Sequence, residues 1–508
     1  MKKFLLIGAT ALMVSNSTFA GGILTNTNQN ATFLRNPSRN AVIAIDGVYN
    51  NPAGIAFLPQ GFHLSVSWQA AWQKRLMDVN NNLFGMNADG KGTSREFIGE
   101  TNAPVIPSFQ VAYVINDKWS VSAQFAVGGG GGACEFAEGL PMFEELVGGK
   151  LVGAQATSYG LNQNLTGEQY FYGFQLGATY KLTDNFSVFG GARGVLANCN
   201  YTGAISNITA NGVTAGAYMN GLLTQIEAGL GQIGAGLQQI NAGLAQLEPV
   251  KDVAGYKEQY VALQQQQQAL QQQQGELQQK QGALQQGAAL LGSDFNLDCA
   301  QSGFGITPII GVDWKLGKLN LAAKYEFRTK IELENDSKNT SANVTALMPA
   351  YAHGVKNRSD IPALLTLGAQ YEITDNVRAM VGGVYYWDKN ARKGLLSEEK
   401  YAINYGDNTW EANFGVEWDV TDKVLLSFGG QRTQFGFADG DMDDTSFFTS
   451  SSSLAIGGAY KFSEKMKLNV GYMHSFYDDH KVVNAASGIT RNYTRKNDAV
   501  GVSLDITF

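Results

Sequence analysis

The last ten residues, Ala499–Phe508 (AVGVSLDITF), alternate between apolar and polar side chains along their whole length. Read in steps of two, one face of a strand carries Val500, Val502, Leu504, Ile506 and Phe508, and the other carries Gly501, Ser503, Asp505 and Thr507. The same alternation recurs along most of the chain, with no crossover helices between the repeats. The pattern predicts an all-β fold, a transmembrane antiparallel barrel whose outer face contacts lipid and whose inner face is polar.

The overall composition favours a barrel and excludes two other classes of protein. The 508 residues include 60 glycines, and 11% are aromatic, a combination typical of short barrel strands. Only 16% are charged, and because the mean hydropathy is -0.15, the apolar residues are dispersed. After the first residues no run of about 18 apolar residues occurs, which argues against helical membrane spans. The net charge of -7 offers no basic face for nucleic acid.

The first twenty residues have the three parts of an export signal. Lys2 and Lys3 form a charged start, Phe4–Val14 an apolar middle, and Thr18–Ala20 a small-residue cleavage site. A buried first helix is the alternative, which the short length and the flanking residues disfavour. We therefore expect residues 1–20 to be a signal peptide.

Residues 21–60 do not alternate cleanly and are rich in Asn, Gly and small residues, which favours a plug folded into the barrel over a strand. Within them lies the stretch DGVYNNPAG, which contains Asn51, Pro52, Ala53 and Gly54. Together with the export signal, the Gly-Gly start after it and the final Phe508, this stretch resembles the outer-membrane long-chain fatty-acid and aromatic-hydrocarbon transporter family. The resemblance covers the motif and the strand layout, not most side chains.

The resemblance implies two functional features. In that family an N-terminal hatch with an Asn-Pro-Ala motif plugs a 14-stranded barrel, so residues 21–60 are expected to be the hatch. A kinked third strand opens a sideways exit into the bilayer, and the third strand here is Trp119–Val127. The glycines that follow remove side chains and ladder regularity, so the candidate opening is formed by Phe125, Val127, Gly128 and Gly129. A flexible loop start is the alternative.

Short turns and long segments alternate along residues 61–508, the expected barrel domain. Short turns rich in Asp, Asn, Lys or Gly occur at 116–118, 183–185, 315–318, 374–376, 421–423 and 463–465. Long segments occur at about 76–104, 128–166, 201–302, 333–360, 391–400, 435–447 and 479–495. Short turns face the periplasm and long loops face outside in such barrels. Six turns, seven loops and two inner ends predict about fourteen strands.

The polar faces of the predicted strands must point into the lumen, because Lys or Arg facing lipid near the midplane costs roughly 2–4 kcal/mol. One such face carries Lys324, Glu326, Arg328 and Lys330. Lys324, Arg328 and Lys330 are therefore candidates for binding a carboxylate headgroup. Ordinary charge lining of the lumen is the plainer interpretation.

Residues 203–292 are predicted to be a helical insert in the barrel. An apolar seam spaced three and four residues apart runs through Leu223, Ile226, Leu230, Ile233, Leu237, Ile240, Leu244 and Leu247, and leucines recur every seven residues at 263, 270, 277, 284 and 291. Two helices would pack as an antiparallel coiled-coil hairpin outside the cell. Disorder is the alternative for the Gln-rich second half, and the typical family members have no recognised counterpart of this insert.

Three cysteines occur in this exported chain, at positions 134, 199 and 299. Cys199 and Cys299 lie at the two ends of the insert, so a disulfide between them would clamp its base in an oxidising compartment. Unpaired thiols are the alternative, because connectivity cannot be derived from the sequence.

Catalytic and metal-binding patterns are absent from the sequence. The four histidines belong to no hydrolase or metal motif, and the adjacent His474 and Ser475 would face opposite sides of a strand. The acidic run around Asp439–Asp444 lacks the Glu that completes a calcium loop, so a solvated loop is the preferred interpretation. We expect no enzyme activity, no cofactor and no metal.

The resemblance implies a passive channel in the bacterial outer membrane for hydrophobic small molecules, with long-chain fatty acids as the default ligand. Hatch rearrangement would let the ligand leave sideways into the bilayer. The expected partners are this ligand, outer-membrane lipid and the barrel-assembly machinery. The alternative is a surface adhesion or structural protein in which the barrel only anchors the coiled-coil hairpin.

Overall fold

Fourteen strands of the described chain form one closed antiparallel β-barrel. The computed structural model describes residues 24–395, 407–437 and 442–508, so the expected signal peptide lies outside the described residues. The wall consists of β1 Gly61–Asn80, β2 Ser94–Val114, β3 Trp119–Phe136, β4 Tyr159–Thr183, β5 Phe186–Ala210, β6 Phe295–Leu316, β7 Leu319–Glu326, β8 Leu364–Thr374, β9 Val377–Tyr386, β10 Trp410–Asp419, β11 Val424–Gln434, β12 Ser451–Ser463, β13 Met466–Tyr477 and β14 Thr490–Thr507. Strand β14 pairs over its full length with residues 63–80 of β1, which closes the cylinder. The predicted barrel of fourteen strands is confirmed.

The two faces of the wall have opposite polarity. On β14, Ser503 and Asp505 are buried in the lumen, whereas the alternating apolar residues Val502, Leu504 and Ile506 face outward. On β1, the outward Trp68 and Trp72 are 43% and 45% exposed. A soluble protein would bury such side chains, so the exposed apolar band is the surface that contacts hydrocarbon.

Aromatic side chains mark the height of the apolar band. Trp410 and Trp418 both face outward at the two ends of β10, eight positions apart. At about 3.3 Å per residue they are separated by roughly 26 Å along the strand, close to the band of about 25 Å typical of outer-membrane barrels.

The six predicted short turns each join two consecutive strands at one end of the barrel. At the other end the strands continue further than the sequence predicts, and β4 and β5 each have 25 residues. About 9–11 residues are enough to cross a bilayer. Beyond the membrane the outer face need not be apolar, so the alternation fades while the backbone ladder continues. The predicted loop 128–166 is therefore reduced to residues 137–158.

Residues 24–60, called the N-terminal segment below, lie inside the barrel and are almost entirely buried. They contain α1 (Ala31–Arg35), α2 (Gly47–Asn50) and a 3-10 helix (Pro52–Phe57). Helix α1 packs against β12, β13 and β14. Inward glycines of the wall make room for it, since a Cβ added to Gly471 would lie 2.6 Å from the Arg35 backbone nitrogen.

Long connections at the opposite end from the short turns contain the remaining helices, α3 (Pro141–Gly153), α4 (Ala215–Leu247), α5 (Lys257–Leu291) and α6 (Ala342–Leu347). Helices α4 and α5 join β5 to β6 and pack against each other. A Cβ added to Gly229, Gly236 or Gly243 would lie 3.4, 3.2 and 3.1 Å from Leu277, Leu270 and Leu263, respectively. This antiparallel register therefore packs the heptad leucines of α5 against glycines of α4. No helix in the described residues is long and apolar enough to cross a membrane.

Candidate functional site: a gap in the barrel wall

The wall is interrupted between β2 and β3. These strands pair at Glu100↔Glu135 and Thr101↔Cys134, and pairing resumes only at Ser108↔Ala126. We call the interval between residues 102–107 of β2 and 127–133 of β3 the lateral gap. Two of the β2 residues are Pro104 and Pro107, which have no N–H to donate to a ladder. The sequence therefore prevents regular pairing from the β2 side.

On the β3 side, glycines allow the strand to bend away from β2. Strand β3 stays paired with β4, with register shifts between Val127 and Gly129 and between Gly130 and Gly132. Gly130 and Gly131 have φ values of +68° and +114°, a region that other residues rarely adopt. The predicted residues Phe125, Val127, Gly128 and Gly129 all lie at this bend or at its edge.

The outer rim of the lateral gap is aromatic. The ring centroid of Phe125 lies 6.3 Å from that of Phe109 and 4.9 Å from that of Phe174, and it stacks on Tyr172 at 6.2 Å. Trp68 donates its indole N–H to the Pro104 carbonyl at 3.0 Å. The Pro104 carbonyl, which lies at the gap, therefore has a hydrogen-bond partner on the lipid side. The surface around the gap is otherwise apolar.

The start of the N-terminal segment covers the gap from inside. The backbone nitrogen of Asn26 donates to the Gly128 carbonyl at 2.8 Å, and Gln29 Nε2 donates to the Val127 carbonyl at 3.4 Å. The Leu24 carbonyl fills the space that a side chain at Gly129 would need. The bend in β3 therefore supplies acceptors and space for this part of the chain.

An apolar cluster lines the inner side of the gap. It consists of Phe33, Leu34, Ala71, Ala103, Ile106, Val127, Ala455, Met473 and Ala499, with Tyr170 and Tyr172 packed against it. Ala103, Ile106 and Val127 belong to the gap itself. The gap thus joins an apolar patch of the lumen to the apolar exterior.

The Asn-Pro-Ala motif fixes the other end of the N-terminal segment near the short turns. Asn51 accepts a hydrogen bond from the Gly54 N–H at 3.2 Å and donates to Asp313 at 2.5 Å. Thr179 and Ser187 donate to the carbonyls of Pro52 at 2.9 Å and Ala53 at 2.7 Å. The motif therefore docks the segment on β4, β5 and β6.

Buried ion pairs hold the middle of the N-terminal segment. Glu417 of β10 accepts from Arg35 at 2.6 Å, from Arg39 at 2.7 Å and from Arg378 of the wall at 2.8 Å. Arg39 also makes a two-point contact with Asp46 at 2.7 and 2.8 Å. One wall carboxylate therefore connects two arginines of the segment to the barrel.

The predicted carboxylate-binding trio is not brought together. Lys324 is buried, where its Nζ contacts Glu326 at 2.7 Å and donates to the Tyr49 carbonyl at 2.8 Å. Arg328 donates to the Asn390 carbonyl at 2.5 Å, and Lys330 is exposed. The alternation slips by one residue after β7, since Thr329 is fully buried, so Lys330 faces outward. The expectation that Lys330 shares one lumenal face with Lys324 was wrong, whereas the carboxylate-binding role of Lys324 and Arg328 stays a prediction.

The predicted disulfide is not formed, because all three cysteines are buried free thiols. Cys199 pairs with Gln301 and Cys299 pairs with Tyr201 across the β5–β6 ladder. The two cysteines are therefore diagonal rather than directly opposite neighbours, a spacing of about 7–8 Å with a somewhat shorter distance between the Cβ atoms. A disulfide needs about 3.5–4.5 Å between them.

In the described part of the acidic loop Asp444 is buried and Asp443 is half-buried, and Asp439 and Asp441 lie outside the described residues. Asp443 accepts from the backbone N–H groups of Thr445 and Ser446, both at 2.8 Å. Asp444 accepts from Tyr493 at 3.0 Å and from the Met142 N–H at 2.9 Å. Within the described ranges no cluster of His, Cys, Asp or Glu could hold a metal.

Sequence reasoning missed the anchoring roles of Arg35, Arg39 and Glu417. It also missed the contribution of β2 to the gap. The two prolines at 104 and 107, inside an otherwise alternating strand, were the available signal.

These features define a class of protein. A closed barrel of fourteen strands with an apolar exterior, a polar lumen and no crossover helices is a β-barrel of the bacterial outer membrane. The localisation predicted from the sequence is confirmed.

Comparison with solved structures identifies the same fold in particular proteins. The chain matches a Pseudomonas aeruginosa FadL homologue over 94% of its length and 98% of that chain, with 14% identity and a TM-score of 0.56. It matches the P. putida toluene transporter TodX over 92% and 95%, with 12% identity and a TM-score of 0.50. The deltaS2 mutant of the TodX monoaromatic hydrocarbon channel matches over 95% and 99%, with 13% identity and a TM-score of 0.55. The resemblance inferred from the sequence is confirmed at the level of fold. No protein-family model and no curated protein sequence matches the chain.

Proposed function

We propose that the protein is a passive outer-membrane channel for hydrophobic small molecules, with long-chain fatty acids as its ligands, which leave the barrel through the lateral gap. The interruption between β2 and β3 carries this proposal. It lies between an apolar patch of the lumen and an aromatic exterior, so a hydrophobic ligand can reach the bilayer without crossing water. No cofactor or energy source is required.

Rearrangement of the hatch is part of the proposed route. The N-terminal segment fills the lumen and its first residues cover the gap, so a ligand must displace these residues to leave. Two solved structures of the same fold support the hydrophobic class of ligand, since one is named a toluene transporter and the other a monoaromatic hydrocarbon channel.

The exit route can be tested by blocking the gap after folding. Val105 and Leu176 face outward and are 63% and 68% exposed. Val105 lies at the gap, whereas Leu176 lies in a continuous ladder. Val105→Cys and Leu176→Cys would each be labelled with a bulky lipid-soluble maleimide, which the buried native thiols resist. Uptake of radiolabelled oleate by cells lacking an equivalent channel would then be measured.

Labelling of Val105→Cys should reduce uptake at least fivefold, and labelling of Leu176→Cys should leave it unchanged. Equal effects at both positions would contradict an exit through this gap. Absence of oleate uptake by the unlabelled wild-type protein would contradict the transport function itself.

A second candidate function, surface attachment, rests on the two helices α4 and α5, of 33 and 35 residues. At about 1.5 Å per residue each is roughly 50 Å long, which suits a displayed structure. Because β5 continues to Ala210, the informative deletion is 213–292 rather than one that enters the strand. Retained uptake with lost cell-surface binding would assign attachment to the hairpin and transport to the barrel.

A further inference from the structure

One buried carboxylate near the short turns has no positively charged partner. Asp313 of β6 is fully buried, and in the described part of the chain it forms no ion pair. By contrast, the buried carboxylates of Glu417, Asp46 and Glu326 each contact an arginine or a lysine. Lys315, two positions further along β6, is exposed and only within electrostatic range of Asp313. Most of the Asp313 charge is therefore uncompensated, which is costly in a buried position.

One oxygen of this carboxylate also lacks a hydrogen bond. Asp313 Oδ2 accepts from Asn51 Nδ2 at 2.5 Å and from Asn320 Nδ2 at 2.9 Å, whereas Oδ1 has no donor among the described residues. Glu411 is different, because donors of the wall contact both of its oxygens. A buried carboxylate oxygen without a partner requires a further donor or a cation.

A neighbouring side chain has a second oxygen without a partner. Asn320 is 4% exposed, and its Nδ2 donates to the Ala41 carbonyl at 2.8 Å as well as to Asp313. Both partners only accept hydrogen bonds, so the amide cannot be turned around and its oxygen must be an acceptor. Asn320 Oδ1 has no donor in the described ranges of the chain. It cannot satisfy Asp313 Oδ1, because both atoms only accept.

The polar groups around Asp313 are rich in oxygen. Ser187 lies directly opposite in the β5–β6 ladder, is fully buried and donates its hydroxyl proton to the Ala53 carbonyl at 2.7 Å. Its Oγ keeps lone pairs that can accept. Carboxylate, amide and carbonyl oxygens are typical ligands of hard cations. A water molecule could donate to both unpartnered oxygens, but it would leave the negative charge uncompensated.

The charge balance favours a monovalent ion. Asp313 contributes one negative charge, and Lys315 already lies within electrostatic range, so a divalent ion would leave excess positive charge in the lumen. A site with a single carboxylate differs from the clusters of three or more His, Cys, Asp or Glu side chains that hold metals, which the described residues lack.

We propose that the unpartnered oxygens of Asp313 and Asn320 bind a hard monovalent cation, for which sodium is the probe, and that this ion fastens the Asn-Pro-Ala motif to the wall. The same carboxylate holds Asn51, and the hydroxyl opposite holds the Ala53 carbonyl. An occupied site therefore keeps residues 51–57 docked when residues 24–30 move at the lateral gap. The inference concerns the hatch and does not depend on which ligand is transported.

The test measures amide hydrogen exchange of purified full-length protein in detergent, in sodium chloride and in choline chloride at equal ionic strength. Choline carries the same charge but is too large for a buried oxygen site. Peptides from residues 52–57 report on the motif, and peptides from β14 report on the barrel. The variant is Asp313→Asn, which keeps the shape and removes the charge. The matched control is Glu411→Gln, which changes a buried carboxylate of the wall that already has donors on both oxygens.

Sodium should slow the exchange of wild-type peptides from residues 52–57 relative to choline. A site with a Kd of about 15–40 mM slows it about five- to tenfold at roughly 150 mM salt, because the ion binds only the docked state. Asp313→Asn should exchange at one rate in both salts, and Glu411→Gln should keep the wild-type sodium effect. Peptides from β14 should be equally protected in both salts.

Equal wild-type exchange in sodium and choline would overturn the cation site, and so would a sodium effect that persists in Asp313→Asn. Exchange that ignores sodium but slows below its intrinsic pH dependence as pH falls from about 7 to about 5 would show that a proton neutralises Asp313. That result would overturn the site as well. If Asp313→Asn does not fold, the wild-type comparison of the two salts still decides.

Discussion

Substitution of Glu417 by Gln should release the N-terminal segment from the wall without unfolding the barrel. Glu417 is shared by Arg35, Arg39 and Arg378, and glutamine keeps its shape while removing its charge. Arg39 retains Asp46 and Arg378 retains Asp419, so Arg35 bears most of the loss. Arg35 is 1% exposed. Removing one partner of a buried ion pair typically costs about 3–5 kcal/mol.

That cost raises the fraction of molecules whose N-terminal segment is detached from the wall by a factor of roughly 10²–10⁴. Amide hydrogen exchange measures this population directly, because local opening limits the exchange of buried amides. Peptides from residues 31–57 should therefore exchange about 10²–10⁴ times faster in Glu417→Gln than in the wild type. Peptides from β1, β5 and β14 should keep their wild-type protection.

Glu411→Gln is the matched control, since Glu411 is a buried glutamate on the same strand. It accepts from Tyr386 at 2.8 Å, Thr433 at 2.9 Å and Gln431 at 2.7 Å, all of which belong to the wall. Its substitution should leave exchange in the N-terminal segment unchanged. Equal acceleration in both variants, or less than threefold acceleration in Glu417→Gln, would refute the anchoring role of this carboxylate.

Three further outcomes follow from local geometry. Gly234→Ala should raise the melting temperature of the helical hairpin, followed by circular dichroism at 222 nm, because Ala favours a helix by about 1 kcal/mol and nothing lies within 4 Å of its Cβ. Gly236→Ala should raise it less, because its Cβ would lie 3.2 Å from Leu270; an equal rise in both variants would contradict tight packing at position 236. Asn51→Ala leaves the buried Asp313 without one hydrogen-bond donor, at a cost of about 1–3 kcal/mol. Hydrogen exchange at residues 52–57 should therefore accelerate about 5- to 100-fold, and unchanged exchange would contradict a docking role for the motif. Burial raises the pKa of Asp443 to about 7, whereas an Asp in the unfolded chain titrates at about 4. Between these two pH values the folded protein therefore keeps a proton that the unfolded chain releases. The free energy of unfolding should accordingly fall as pH rises from about 4 to 7. Asp443→Asn should reduce this dependence in urea titrations, and an identical profile would contradict it.

The sequence predicted the wall well because lipid imposes one rule on every strand. Each outward position within the membrane must be apolar, so alternation alone identifies the strands and their number. That rule ends where the wall leaves the membrane, so alternation does not identify residues 159–166 of β4 and 201–210 of β5 as strand.

Sequence reasoning failed where a single residue decided the orientation of a side chain. The slip after Glu326 turns Lys330 outward, because side chains alternate with a period of two. The diagonal position of Cys199 and Cys299 likewise depends on a register that composition does not specify. The ion pairs of Arg35 and Arg39 link residues almost 400 positions apart, and no local pattern connects them.

The distribution of charge along the N-terminal segment determines which part of it a hydrophobic ligand can move. Residues 31–57 are held by the ion pairs of Glu417 and by the Asn-Pro-Ala motif, and the apolar chain of a fatty acid offers no charged or hydrogen-bonding group to replace these contacts. Residues 24–30 are held by neutral hydrogen bonds, such as those of Asn28 to Gln69 at 2.6 Å and Asn30 to Gln110 at 2.8 Å. Each neutral bond contributes only about 0.5–1.5 kcal/mol net.

We therefore expect ligand-dependent rearrangement to be confined to residues 24–30, which cover the lateral gap, while the rest of the segment stays in place. Hydrogen exchange with saturating oleate should accelerate in peptides from 24–30 and remain at its ligand-free rate in peptides from 31–57. Acceleration along the whole segment would show instead that the ligand breaks the Glu417 network. In that case the lumen would open from end to end, and the ligand would have a route to the periplasm that does not need the gap.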